Sequence, residues 1–432
     1  MYRVWGFLTE YSLLLIIGAV IALVWANIDN TSYHHFVEYP LWFNDFVGLD
    51  YDYWKKVYGE GYDAYAAGGA ERVLSMHYVA NDIGMAFFFA IAAKEVWEAV
   101  ILKNGSLRGR KAATPLFATV GGMAGPVAIY LGLAVFLGSD TYDAVANGWA
   151  IPTATDIAFS YLVGRLVFGA GHPAVRFLLL LAIADDALGL LILAIFYPSG
   201  ELAPYWLLLS VFAGFAVYYL ANWLPRRMDR GKQDRPNSTW VRKTLGFWPY
   251  AIAGAASWYG FMASGLHPSL GLLPIVPAIP HADRAFGIFS AAETHLTDLL
   301  NQIEHALKTP VEVILFFFGL LNAGVAFKEI GDATWLVLAG LLIGKPVGIL
   351  IFGWVAARPL KLGIPEGMRI VDLIVIGFVA AIGFTVSLFF AAAAFDPGPV
   401  QAAAKMGALF SFVAAILSFA AGIVFRVQKQ HL

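Results

Sequence analysis

Residues 149–197 read WAIPTATDIAFSYLVGRLVFGAGHPAVRFLLLLAIADDALGLLILAIFY, and they set Asp156, Asp185 and Asp186 inside two otherwise apolar segments. An ionisable group at mid-bilayer costs roughly 2.5–3.5 kcal/mol on an insertion scale, so three cost about 8–10 kcal/mol, comparable to the net stability of a domain. Polar networks that only hold membrane helices together draw on Ser, Thr and Asn more often than on adjacent carboxylates. The stretch therefore predicts a cation or proton site built within a membrane.

The rest of the chain agrees with that reading. Only 13% of the 432 residues are charged, against about 25% in an average soluble protein, and 59% are hydrophobic, which predicts an all-α polytopic membrane protein. A net charge of −2 leaves no basic footprint for nucleic acid. Without cysteine there is no thiolate metal site and no thiol nucleophile, so any chemistry rests on carboxylates, Lys and His. No motif asks for a cofactor.

Apolar runs of about 20 residues predict about twelve transmembrane helices, starting near residues 12, 76, 113, 148, 173, 204, 244, 265, 309, 333, 371 and 402. The eighth, GLHPSLGLLPIVPAIP, is short and proline-rich. With the N-terminus inside, 21 of the 28 Lys and Arg residues fall in inner segments, and only Lys55, Lys56, Arg72, Lys328 and Lys405 fall in outer ones. That bias predicts both termini in the cytoplasm. Lys94 and Lys345 lie within helices. Residues 28–75 form a long aromatic and acidic outer loop whose alternating pattern suits an external hairpin or an irregular surface loop, and 226–243 read as a cytoplasmic linker between two membrane halves of one domain spanning 1–432.

At 1.5 Å per residue, Asp185 and Asp186 lie about 18 Å from the inner start of helix 5, and Lys345 about 18 Å from the outer start of helix 10, both near mid-membrane. Asp156 falls at a similar depth, so four charges converge on one plane. Neighbouring helix positions point about 100° apart, so Asp185 and Asp186 have different partners. One can line an aqueous funnel as a cation ligand while the other faces Lys345. A carboxylate that takes either a proton or a cation, but not both, is the minimum machinery of an exchanger. Pro152 with Thr155 and Asp156 interrupts helix 4, and Gly383 with Thr385 and Ser387 interrupts helix 11. Helices 3–5 and 10–12 are offset by seven positions, so the two triplets run in opposite senses, as inverted repeats do. The broken ends expose amide and carbonyl charge that Asp156 and Lys345 can offset.

GWAIPTATDIAFS, LAIADDALGLLILAIFY, LLNAGV, GLLIGKPVGILIF, RPLKLGIPEGM and AAIGFTVSLFFAAAAF closely resemble the NhaA-type sodium/proton antiporters, and LVWANIDNTSYHHFVE, NDIGMAFFFAIAAKEV and PLFATVGGMAGP extend the likeness over nearly the whole chain. That family is one of the cases behind the inverted-repeat rule, so the two readings are not independent. The resemblance implies an electrogenic antiporter of the bacterial inner membrane that expels Na+ or Li+ for more than one H+. It implies Asp186 as principal ion carboxylate, Asp185 as partner of Lys345, Thr155 and Asp156 at the helix crossing, and a homodimer joined through the external loop. Asp82, Glu95, Glu304, His305 and His267 match family positions at the mouth, where a pH response is expected, whereas Trp97, Glu98 and Lys308 depart from the pattern.

Other classes fit less well. An intramembrane aspartyl protease lacks its Gly-x-Gly-Asp motif here and has no use for Lys345, and IGKPVG is not a phosphate loop, so the chain does not read as an enzyme. A sodium-coupled organic-anion symporter on a similar fold is the alternative. Anion binding beside Asp185 and Asp186 would be repulsive.

Overall fold

The apolar runs form helices, and 76% of the chain is helical. The computed structural model describes residues 13–58, 69–102, 105–107, 112–232, 234–281 and 298–430. Arg3, Lys103, Arg108, Arg110, Lys111 and Arg284, which enter the charge bias, lie outside the described residues, as does the 59–68 part of the outer loop. Among the described residues, Ala113–Leu137, Pro173–Phe196, Pro204–Met228, Asp332–Ala357 and Pro399–Val424 are long and apolar enough to cross a membrane singly. Each covers about 36–39 Å, more than the roughly 30 Å of a hydrocarbon core. The pair Asp372–Ala380 and Phe384–Ala394 makes a sixth candidate, bent by 52°. Leu208, Val211, Phe212 and Phe215 stand 64–71% exposed on one helix, a surface suited to lipid rather than water.

Two segments differ from a simple scan of apolar runs. Pro268, Pro274 and Pro277 withhold backbone N–H groups, and the short eighth segment becomes the 3-10 turns Pro268–Leu270 and Leu273–Ala278. The helix expected from residue 309 starts at Leu299 and runs to Asn322, because its first turns, LLNQIEHALK, alternate polar and apolar residues at helical spacing. The loop expected outside, residues 28–75, is more than a hairpin. After the Asn30–Val37 helix, capped by Asp29, come strands β1 (Pro40–Asn44) and β2 (Leu49–Asp50), the Tyr51–Tyr58 helix and strand β3 (Arg72–Ser75). The antiparallel order β1-β3-β2 places Val73 opposite both Phe43 and Leu49.

Contacts divide the chain into two units, the first Met1–Asn81, Gly109–Gly189 and Glu312–Leu432, the second Asp82–Arg108 and Leu190–Val311. In the first, Ala113–Leu137 packs against Lys345–Ala357 with almost no side chain between the backbones. A Cβ on Gly344 would lie 2.6 Å from Pro126 Cα and 2.7 Å from Gly125 O, and one on Gly348 would lie 3.2 Å from Gly125 Cα and collide with Gly121 O. Small residues permit this approach, which fixes the backbone that carries Lys345. Gly125→Val is therefore expected to cost about 1–3 kcal/mol through overpacking and to lower the melting temperature, whereas Gly132→Val on the same helix, whose Cβ would meet nothing within 4 Å, is expected to melt as wild type. Equal melting of the two variants in detergent would contradict the close approach.

In the second unit, Ala213, Val217, Tyr250, Ile275 and Val276 form a buried core, where the Tyr250 hydroxyl donates to Asn222 Oδ1 and Asn222 Nδ2 donates to Ala278 O at 2.6 Å. The 226–243 segment lies inside this unit and folds back on itself. Asp229 Oδ1 accepts from Asn237 N at 2.9 Å and Asn237 Nδ2 at 2.8 Å, and Oδ2 accepts from Ser238 N at 2.7 Å. Burial works against the Asp229 charge, but these bonds outweigh it and hold the carboxyl well below its usual range.

Candidate functional site

The site lies in the first unit, where two interrupted segments cross. Pro152 limits the first to a 3-10 turn, Ala146–Thr153; the chain is then extended through Ala154–Asp156 before the Ile157–Phe168 helix begins. The second breaks between Ala380 and Phe384. The crossing is held by polar groups of one segment on the backbone of the other. Asp156 N donates to Ile382 O at 2.7 Å, Thr155 Oγ1 to Ala380 O at 3.1 Å, Ser160 Oγ to Val379 O at 2.9 Å, and Ser387 Oγ to Ile151 O at 2.8 Å. The backbones meet closely enough that a Cβ on Gly383 would lie 2.9 Å from Ala154 O.

Asp156 serves two helices at once. It is the N-cap of Ile157–Phe168, its Oδ1 accepting from Phe159 N at 3.2 Å, while Oδ2 accepts from Thr385 N at 3.3 Å and from the Thr385 hydroxyl. A carboxylate thus faces the positive ends of both helices. Lys345 lies at the opposite kind of end. Its Nζ donates to Thr153 O, the carbonyl that closes the 3-10 turn, at 2.5 Å and to Asp185 Oδ2 at 3.0 Å, and its side chain is fully buried. The Thr155 hydroxyl also faces Asp185. Asp186, next on the same helix, is half-buried and near enough to Lys345 to act on its charge.

By their partners, the four charges fall into two groups. Asp185 and Lys345 meet directly with Asp186 alongside, whereas Asp156 is engaged by Thr385 and two helix ends. The Thr153 carbonyl and the anchoring hydroxyls of Ser160 and Ser387 escape a search for charges. Pro152 in a T/S-rich segment was the available signal that freed backbone groups needed partners.

The residues expected at the mouth fall in the second unit as two clusters. Asp82, in the π-helical turn Val79–Gly84, lies 3.6 Å from His267 Nδ1, which also contacts Ser269 Oγ at 2.9 Å; Trp258 Nε1 donates to Asp82 O at 2.9 Å. Lys94, 3% exposed, pairs with Glu98 at 3.0 Å and with Glu304 at 2.7 Å. Glu98, which departs from the family pattern, thus meets an ammonium within its own helix. Glu95 is half-buried beside Lys94, and His305 is exposed beside Glu304.

Broken helices crossing over a buried carboxylate–ammonium pair, in a chain with several membrane-length helices, define an ion-transporter class of membrane protein. A family description, Na+/H+ antiporter 1, matches residues 8–424. Relatives called Na(+)/H(+) antiporter NhaA include one from Jannaschia sp. (strain CCS1), 72% identical over 432 residues and covering 100% of each chain, and one from Desulfitobacterium hafniense (strain DSM 10664 / DCB-2), 44% identical and covering 98% of this chain and 96% of that one. Another, from Geobacter sulfurreducens, is 42% identical with 98% of each chain covered. The protein belongs to the Na+/H+ antiporter 1 family.

Proposed function

We propose that the protein is an electrogenic antiporter that expels cytoplasmic Na+, or Li+, in exchange for external H+. Family membership supports the exchange itself and leaves the organic-anion symporter without support. The single observation that carries the residue assignment is the buried Asp185–Lys345 pair with Asp186 beside it, at the crossing of two broken helices.

In this reading Asp186 is the carboxylate that ions reach first. Na+ arriving from the cytoplasm displaces a proton there, with Asp185 and the Thr155 hydroxyl as further oxygen ligands. Recruiting Asp185 breaks its pair with Lys345, and the ammonium, left without its counter-charge, becomes free to release a proton. Release of Na+ outside, reprotonation and re-formation of the pair complete the cycle. Asp156 and Thr153 hold the helix ends throughout, so the access change pivots on the crossing. Twelve helices in inverted repeats, cytoplasmic termini and a homodimer through the outer loop complete the proposal.

Proteoliposomes carrying a trapped pH dye test the exchange: Na+ or Li+ is expected to drive proton movement, and an equal response to K+ or to no added cation would refute it. Lys345 supplies a second test. Lys345→Gln removes one titrating group per cycle, so the variant is expected to retain slow exchange but lose most of its acceleration by membrane potential. A variant as voltage-driven as wild type would reduce Lys345 to a structural counter-charge.

A further inference from the structure

On the side that the charge bias assigns to the outside, a cavity of about 240 Å³ opens in the first unit among the Asn30–Val37 helix, the end of the Leu299–Asn322 helix and the start of the Pro399–Phe410 helix. Its titratable lining is Tyr33, His34, Glu38, His77, Glu329 and Lys405. Lys405 is 9% exposed, yet among the described residues its ammonium makes no hydrogen bond and no ion pair within 4.0 Å. Buried ammonium groups are ordinarily paired, because desolvation is costly. Glu38, 7% exposed, is near enough to act on Lys405 electrostatically, and His34 feels both Lys405 and Glu329. Asn30 Oδ1, also buried on this wall, has no hydrogen-bond partner among the described residues.

The Lys405 ammonium thus faces a gap with room for several waters. Such a gap admits a further charge. A hydrated cation entering it finds oxygen ligands in Glu38, Glu329 and Asn30, and Lys405 opposes it from the same wall.

We propose that this cavity is the outer mouth of the ion path, and that Lys405 is a tethered cation that keeps external Na+ from settling on Glu38 and Glu329. The inference rests on the Na+/H+ exchange proposed above. An exporter must release Na+ into a medium already rich in it, and a competing charge fixed to the wall lowers external occupancy without touching the inner site.

The test is sidedness. Exchange driven by inner Na+ is measured in oriented proteoliposomes as Na+ is added to the outer face. In Lys405→Met, half-inhibition by outer Na+ is expected at about tenfold lower concentration, a difference of about 1.4 kcal/mol, while half-saturation by inner Na+ shifts less than about twofold. Lys405→Arg, which keeps the charge, is expected to behave as wild type. Unchanged outer inhibition, or equal shifts on both faces, would overturn the proposal. Should Lys405→Met fail to fold, Glu38→Gln tests the same gap and is expected to weaken outer inhibition; no change would overturn it. The chain has no cysteine, so Ala402→Cys offers a single thiol on the cavity wall. A membrane-impermeant thiol reagent is expected to label it from outside, and an exchanging protein that resists labelling would also overturn the assignment. Absence of exchange in the wild type would refute the exchange reading instead.

Discussion

Asp186→Asn is expected to abolish Na+-driven proton movement, lowering exchange about 100-fold or more. The substitution preserves size and leaves the Asp185–Lys345 pair in place, so packing at the site survives. What it removes is specific. An amide releases no proton in this range, and as a neutral ligand it holds Na+ more weakly than a carboxylate. A loss of about 100-fold corresponds to about 2.7 kcal/mol, within what one charged ligand supplies. The same exchange at an exposed acid, Asp140→Asn, is expected to leave transport and melting unchanged. Dye-loaded proteoliposomes with matched protein content decide it: exchange at half the wild-type rate or more in Asp186→Asn would remove this residue from the site.

Asp156 separates holding the fold from moving the ions. Asp156→Ala leaves Phe159 N, Thr385 N and the Thr385 hydroxyl without their acceptor in a buried crossing, and the expected cost is about 2–4 kcal/mol. Asp156→Asn keeps a side-chain oxygen at a position where Asn caps nearly as well, so most of that stability is expected to return. Transport is expected to stay low in both, because the negative charge facing two helix N-termini is gone. Thermal unfolding in detergent, beside exchange in proteoliposomes, checks both halves. An alanine variant that melts with the wild type would mean that the crossing does not depend on this carboxylate.

Much of this arrangement is legible in the sequence because membrane chemistry restricts what a sequence can mean. Acids within apolar segments have few explanations, so Asp156, Asp185, Asp186 and Lys345 stand out without any structure. Pro152 marks a break because it withholds an N–H, and Gly383 marks another because only a bare backbone passes Ala154 at that distance. What sequence cannot supply is which charge meets which. The partner of Asp156 is Thr385 on the other broken segment, and backbone carbonyls such as that of Thr153 carry no residue signature at all. The helix start at Leu299 was hidden for a different reason: an amphipathic turn lowers mean hydropathy without weakening the helix. The fold of the 28–75 loop escaped because strand order depends on contacts between distant residues, and β3 pairs with two strands that local alternation does not distinguish.

The central claim is that Na+ and H+ compete for one set of carboxylates. Calorimetric titration of Na+ into the purified protein from mildly acidic to alkaline pH tests it most directly, with buffers of different ionisation enthalpy to count the protons released. The account predicts that apparent Na+ affinity weakens as pH falls, approaching about tenfold per unit for each proton displaced, and that every Na+ bound releases protons. Affinity that stays constant across this range, with no proton release, would contradict a shared site.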